Sequence, residues 1–480
     1  MSQQLNRTNA PVNRLLNTSN LETSIVHIGL GNFHRAHLAV YTAQANDGWG
    51  IAAYSFRNES LVATLKNQDN LYSVLEIGPD TEAAWIPNIH TEFIVGYDQA
   101  NYVSELISKS KTKIVSLTVT EAGYYIDSAK GTLNLNHPDI ENDLAGKSPR
   151  TIFGLIAKGL SERGNEPLTI LSCDNISHNG DMTKKLLLEF VSHTEPVLIE
   201  FINQNVTFPN SMVDRIVPGT EEKHVEISSK RLGVKDFVPV PCEQFSMWVV
   251  EDNFAAGKPN WSNVIFSNEV SKFEDMKLML LNGSHSLLVY LGGLLNCETI
   301  PSCKSNPKVD AALQKALKEE FVPATNMPSS FTADEYLALL NKRWQNTVLG
   351  DKTYRVGSDG STKLPQRITK PALLALSNNK EPKMMALLTA AWLACIAPLK
   401  SETTNEICAN MKDAHKEKLL SMAQKSESSD EFVDNFFINT PIFNEGLANS
   451  KIFTNLVKRY RREISELGIS RTIELIVLST

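Results

Sequence analysis

The stretch from Ser24 to Ala45 constrains the fold most. Ser24–Ile28 (Ser-Ile-Val-His-Ile) is a short apolar run of strand length, and it leads directly into Gly29-Leu30-Gly31-Asn32-Phe33. An apolar-periodic segment follows through Ala45 and predicts a helix. Strand, glycine turn and helix form the unit in which a dinucleotide pyrophosphate meets a helix N-terminus. The glycines allow a tight turn and close approach of the phosphates, and the first-turn amides point at them. Gly29, Leu30, Gly31, Asn32 and Phe33 are therefore candidate cofactor contacts. The third glycine of the usual spacing is absent, because His34 stands there. Taken alone, the turn fits a structural bend as well as a cofactor loop.

A second strand is predicted over Gly50–Phe56. At its end an acidic residue often holds the adenosine ribose, but here stand Arg57 and Asn58. Arg57 could meet a 2′-phosphate, stack on adenine, or be a solvated loop cation. Continuous apolar runs at Lys113–Thr120 and Leu168–Ser172 suit a parallel sheet covered on both faces. Thr120 and Glu121 lie at the carboxyl end of the first run, and Cys173-Asp174-Asn175 at that of the second, where open α/β sheets bind ligands. Asn175 could equally cap the next helix. Asp181–Asn203 predicts one long amphipathic helix. Asp214-Arg215 interrupts the apolar loop Phe208–Val217, an arrangement that also suits a local salt bridge. Val238–Val250 and Asn263–Asn268 complete a strand-rich region.

Near Ser271 the pattern becomes helical and stays so: Phe273–Leu295, Val309–Phe321, Thr332–Gln345, Pro382–Ala397, Asn405–Gln424, Asp430–Phe437, Lys451–Leu467 and Arg471–Val477. The expected architecture is an α/β Rossmann-like dinucleotide-binding domain over residues 1–270 and an all-α domain over 271–480. Within the first of these helices, Met276–Leu295 is apolar on nearly every side, as a buried helix is. At about 100° per residue, Asn282 lies about 140° and His285 about 80° from Lys277. Three polar groups in one sector of a buried helix are costly without partners, so a shared polar cavity is expected, placed where the two domains could meet. The alternative is that Lys277 snorkels outward while Asn282 and His285 satisfy backbone groups.

Composition narrows the class. The chain has 480 residues, 42% hydrophobic and 21% charged, with a net charge of −7. These are values of a globular protein and argue against nucleic acid or anionic membrane as main partner. Six scattered cysteines without a Cys-x-x-Cys or Cys/His cluster suit reduced structural thiols rather than disulfides or zinc. Met1–Asn20 is polar, without the apolar core of a signal peptide, and no uninterrupted apolar stretch reaches the roughly 20 residues of a membrane span. The expectation is a cytoplasmic protein with no metal.

If the first domain holds a nicotinamide dinucleotide, hydride transfer from an alcohol needs a base and a stabilised alkoxide. A buried lysine is a competent base because desolvation disfavours its charged form. Lys277 is the candidate, with Asn282 and Asn175 as N–H donors to the oxygen and His285 to orient substrate.

The glycine turn through His37 and the spacing Lys277-x4-Asn282-x2-His285-Ser286 resemble the polyol-specific long-chain dehydrogenase/reductases, the mannitol dehydrogenase family. Ser172-Cys173-Asp174-Asn175, Pro209–Arg215 and Lys363-Leu364-Pro365-Gln366-Arg367 extend the likeness over most of the chain. The resemblance implies a zinc-independent enzyme with Lys277 as general base, Asn175 and Asn282 holding the oxyanion, and His285 positioning substrate. It also implies substrate contacts from Asp214, Arg355 and Lys363. The expected cofactor is NAD, with NADP possible because of Arg57-Asn58. Expected substrates are a polyol and its 2-ketose, of mannitol/fructose or arabinitol type, or a keto-uronate such as fructuronate. Members of the family are often monomeric, so a monomer is expected.

Overall fold

The computed structural model of the chain describes residues 3–79, 81–127, 130–348 and 350–478. The chain divides into two compact units, Met1–Ser271 and Lys272–Thr480.

The first unit is built on six strands: β1 (Glu22–Ile28), β2 (Trp49–Ser55), β3 (His90–Val95), β4 (Ile114–Leu117), β5 (Leu168–Ser172) and β6 (Val206–Thr207). Their spatial order is β6-β5-β4-β1-β2-β3, and every neighbouring pair is parallel. The order reverses at β1 and β4, so the loops leaving these strands diverge and open a crevice at the carboxyl edge. The apolar runs are continuous because both faces are covered. Val26, Ile28, Ala52, Tyr54, Val115 and Leu117 enter one core, while Ile25, Ile51, Ala53, Ile114 and Leu171 enter the other. Two three-stranded sheets flank this layer. One joins Val74–Gly78, Thr81–Trp85 and Val240–Cys242, and the other Ser211–Asp214, Met247–Val250 and Ile265–Phe266.

Several local expectations change. The helix expected after the glycine turn is two helices, α1 (Asn32–Ala36) and α2 (Leu38–Ala45), because the backbone leaves the helical region at His37 (φ −121°, ψ −99°). The strand expected over Lys113–Thr120 stops at Leu117, and Thr120 turns at φ 64°. The long helix at Asp181–Asn203 is α3 (Asn179–Thr194) followed by Leu198–Asn205. The break falls at Glu195-Pro196, since a residue before proline is disfavoured from helix. β3 and β6 carry little apolar signal, one being half polar and the other two residues long.

The second unit is helical. α4 (Val270–Met276) passes through a π-helical segment, Lys277–Gly283, into α5 (Ser284–Leu294). α6 spans Gly360–Ser377, α7 Lys383–Ile396 and α8 Lys451–Leu467. α7 is the centre of this unit, with every residue from Met384 to Ile396 buried. α8 lies at its side and buries Phe453, Leu456, Val457, Tyr460, Arg461 and Ile464, the stripe of an amphipathic helix. Arg461 is neutralised by a two-pronged pair with Glu402, both contacts at 2.6 Å. The single helix expected over Asn405–Gln424 is two pieces, Glu406–Ala409 and Lys416–Lys425. α6 was not expected, because Pro365 and Pro371 lie inside it and proline normally interrupts helices. Among the described residues no helix is long and apolar enough to cross a membrane.

Candidate active site

In the first unit the glycine turn leaves β1 at the crevice. Gly29 has φ +106°, and a Cβ there would stand 2.2 Å from the Thr118 carbonyl oxygen, so only glycine fits. At Gly31 a Cβ would meet nothing closer than 3.8 Å. Packing therefore does not require glycine at Gly31, whereas a closely approaching phosphate does. A pocket of about 530 Å³ opens here, with Gly29, Leu30, Gly31, Arg57, Asn58 and Thr120 among its lining. That is the size of a small-molecule cleft, and glycine turn, open space and strand edge together fit a nicotinamide dinucleotide. Asn32, Phe33 and Glu121 are not part of the lining. The Asn32 side chain instead donates to the Pro218 carbonyl and accepts from Arg35, and Phe33 stacks on His37.

The missing third glycine has a structural answer. Its usual service is close packing of helix on strand. Here the His34 ring lies flat on His27 of β1, centroids 3.4 Å apart and planes 11° from parallel. His34 also shares a 3.0 Å hydrogen bond with His90. Thr118 Oγ1 donates to the Gly29 carbonyl, so it accepts from His27 Nε2–H at 3.0 Å, leaving His27 Nδ1 to accept from Ser116 at 2.9 Å. This chain holds the turn from below. Burial drives the His27 pKa down to about 3 and holds His34 and His90 well below the ordinary range. All three rings are neutral.

At the strand edge, Thr120 sits at φ 64°, ψ 167°, a region populated almost only by glycine and costing about 1–3 kcal/mol. Asp174 holds it there. Its carboxylate accepts from the amides of Val119 (3.0 Å) and Thr120 (2.9 Å) and from the Tyr124 hydroxyl (3.0 Å). Burial raises the Asp174 pKa, and these donors pull it back. The far side of the loop is pinned by Asn179, which donates to the carbonyls of Ser172, Asp174 and Ser211. Asn175 is exposed between these two anchors. The amides of Gly180 and Asp181, at the start of α3, are accepted by Asn210 Oδ1. Asp174 and Asn179 are positioning residues: the sequence places Asp174 at the ligand-binding strand end but without this role, and does not single out Asn179.

Asp214 is buried at the end of Ser211–Asp214. Arg215 finds its partner at Glu76, 2.7 Å away and far along the chain, and also donates to the carbonyls of Ala36 and Glu243. Around the rim of the cofactor pocket, Arg57 Nε donates to the Tyr97 hydroxyl at 3.1 Å. Asn58 caps Glu59–Asn67 by accepting from the Leu61 amide.

In the second unit Lys277 and Asn282 lie within the π-helical segment, and His285 follows it in α5. A π-helix bonds residue i to i+5, so five steps rotate the chain less than in an α-helix. Lys277 and Asn282 are thus closer to one face than the 140° of the α-helical reading. Both are half-buried, as is His285 at the start of α5, while Met279, Leu280 and Leu281 are buried. Gly283 allows this turn to pack, since a Cβ there would stand 2.6 Å from the Phe321 ring. Phe321 ends a second π-helical segment, Leu317–Phe321.

α6 packs against the π-helical turn and brings a residue that sequence reasoning did not single out. Arg367 donates to Ser286 Oγ at 2.7 Å, beside His285. Burial pushes its pKa down to about 10, so it is cationic at neutral pH. It stood within the Lys363–Arg367 motif, and only the unexpected helix shows its direction. Lys363, one turn earlier, donates to the Ser358 carbonyl at 2.7 Å, and burial lowers its pKa. Arg355 is exposed and ion-paired with Asp351. Among the described residues no group of three or more His, Cys, Asp or Glu is placed to hold a metal ion.

A dinucleotide-type parallel sheet followed by a helical unit is the architecture that comparison with known proteins also finds. Residues 23–263 match the mannitol dehydrogenase Rossmann domain and residues 269–464 the mannitol dehydrogenase C-terminal domain. The chain belongs to the mannitol dehydrogenase family of oxidoreductases. It is 39% identical to the D-mannonate oxidoreductase of Escherichia coli K12, over 78% of this chain and 80% of that one. It is 36% identical to the mannitol 2-dehydrogenase of Cereibacter sphaeroides, again over 78% and 80%. Among solved structures, the ternary complex of Pseudomonas fluorescens mannitol 2-dehydrogenase with NAD and D-mannitol superposes with a TM-score of 0.86 at 30% identity, covering 100% of both chains.

Proposed function

We propose that this protein is an NAD-dependent oxidoreductase interconverting a polyol and its 2-ketose, mannitol and fructose being the type pair. The observation that carries the reading is the set Lys277, Asn282 and His285, half-buried on the π-helical segment and the first turn of α5. It occurs in a chain similar along its whole length to an enzyme solved with NAD and D-mannitol. NAD, when bound, accepts the hydride in oxidation and returns it in reduction. Lys277 takes the proton of the reacting hydroxyl as general base and gives it back in the reverse direction. Asn282 and Asn175 donate N–H groups to the oxygen as negative charge develops on it. His285 orients the substrate, with Asp214, Arg355 and Lys363 as further substrate contacts. The chemistry is metal-independent, so a chelator leaves turnover unchanged.

A second substrate reading has its own support. Lys363 and Arg367 are cations one helical turn apart, and Arg367 reaches Ser286 beside His285. Such a pair suits the carboxylate of a sugar acid, and the E. coli relative at 39% identity is a D-mannonate oxidoreductase. A screen of mannitol, arabinitol, sorbitol and mannonate with NAD and NADP, followed by absorbance of the reduced nicotinamide, separates the readings. Fastest turnover of a neutral polyol supports the first, and fastest turnover of mannonate the second. Cofactor binding without turnover of any of them overturns both.

A further inference from the structure

The C-terminal end of α5 is ringed by thiols that hydride transfer does not use. A Cβ on Gly292 would stand 2.2 Å from Cys303 Sγ and 3.4 Å from Cys297 Cβ, so these two side chains converge over one glycine. Cys303 Sγ donates to the Cys297 carbonyl at 3.9 Å. Interaction with Cys303 lowers the Cys297 pKa below the ordinary thiol range, and interaction with Cys297 together with burial raises that of Cys303. Cys303 Sγ also lies 3.5 Å from Thr353 Oγ1, which donates to the Cys297 carbonyl at 2.7 Å. Of the six cysteines, Cys297 alone is not fully buried. A second pair, Cys395 and Cys408, also interacts, but both residues are buried.

We propose that Cys297 and Cys303 are a modification site, a dithiol that hydrogen peroxide converts to an intrachain disulfide. The Cys297 thiolate attacks one peroxide oxygen, the O–O bond breaks, and the departing hydroxide takes a proton to become water. Cys297 is then a sulfenic acid. Cys303 attacks that sulfur, its proton leaves with the displaced hydroxide as a second water, and the S–S bond forms. Two thiols lose two electrons and two protons, and one peroxide becomes two waters. The division of roles follows from access and ionisation: the attacking thiol is the solvent-reaching one with the lowered pKa, and the resolving thiol is its buried neighbour.

The bond has a consequence for the adjoining chain. The segment 297–303, which enters a helix at Ile300, is laced to residues 351–353 by Ile300 N–H to the Asp351 carbonyl and Thr353 N–H to the Glu298 carbonyl, both 2.9 Å. A disulfide draws the sulfurs to about 2.0 Å and takes Cys303 Sγ from Thr353. It thereby strains the lacing next to the Arg355–Asp351 pair.

The test needs no knowledge of the substrate. The intact protein is treated with limiting hydrogen peroxide, free thiols are alkylated, and tryptic peptides are weighed. Both cysteines fall in one peptide, Leu278–Lys304, with no other cysteine. The expected product is that peptide lighter by two hydrogens, without alkyl groups, formed before Cys395 and Cys408 change and restored by a dithiol reductant. In Cys303→Ser, Cys297 should stop at a sulfenic acid that a dimedone probe captures; in Cys297→Ser, Cys303 should stay fully alkylatable. Double alkylation of the peptide under excess peroxide, or earlier oxidation of the Cys395–Cys408 pair, would overturn the proposal.

Discussion

At the scale of single residues, the spacing of Lys277, Asn282 and His285 was legible in the sequence because a buried apolar helix makes polar interruptions conspicuous. Their true disposition was not, since nothing local announces a π-helical turn. The same holds for Arg367: its motif was visible, but two prolines hid the helix that aims it at Ser286. Thr120 and Asp174 needed the fold, because a threonine forced into a glycine-like conformation is recognisable only beside the carboxylate that holds it. Two substitutions probe this scale. Asn282→Ala removes the proposed oxyanion donor and should lower kcat by about 10²–10³, with little change in KM; an unaltered kcat would remove Asn282 from the oxygen site. Arg57→Asp should lower kcat/KM with NADP relative to NAD, because a carboxylate repels a 2′-phosphate and accepts from a ribose hydroxyl. An unchanged ratio would separate Arg57 from cofactor choice.

At the scale of elements, β1, β2, β4, β5 and α8 follow from their apolar patterns. The failures have physical causes. α1 and α2 are parted where the chain bends at His37, and α3 ends before Pro196. The stack of His34 on His27 also explains why a histidine replaces glycine at a point of close helix–strand approach. That solution makes the fold sensitive to acid. The buried rings stay neutral in the folded chain, His27 down to about pH 3, whereas an unfolded histidine protonates near its ordinary value of 6.5. The unfolded state therefore binds more protons below that value. The stability is fully present above about pH 6.5 and is lost as pH falls toward 3. With three such rings, His27, His34 and His90, the limiting slope is about 4 kcal/mol per pH unit. The urea midpoint should fall steeply between pH 6.5 and 5, and less steeply in His27→Gln; a flat midpoint in the parent chain would contradict neutral burial. For the π-helical turn, Gly283→Ala drives a methyl into the Phe321 ring. It should cost about 1–3 kcal/mol by denaturant unfolding, and no loss would mean the two π-helical segments yield freely.

At the scale of the whole molecule, the change from strand-rich to helical texture near Ser271 announced a parallel α/β unit followed by a helical one, and the six-stranded sheet and α7-centred bundle have that architecture. The membership of the mannitol dehydrogenase family extends over both units. Chain texture says little about substrate, because one or two cations suffice to distinguish a carboxylate from a hydroxyl, and the direction of Lys363 and Arg367 depends on α6. The central claim is that the chain oxidises a secondary alcohol with Lys277 as the base. The most direct test compares the parent protein with Lys277→Ala, both pretreated with a chelator, on the best substrate of the screen, with NAD affinity followed separately by fluorescence. The account predicts full turnover in the parent, a loss of kcat of about 10²–10⁴-fold in the variant, and unchanged NAD affinity. A variant that turns over at the parent rate, or a parent silenced by the chelator and restored by a metal ion, would contradict it.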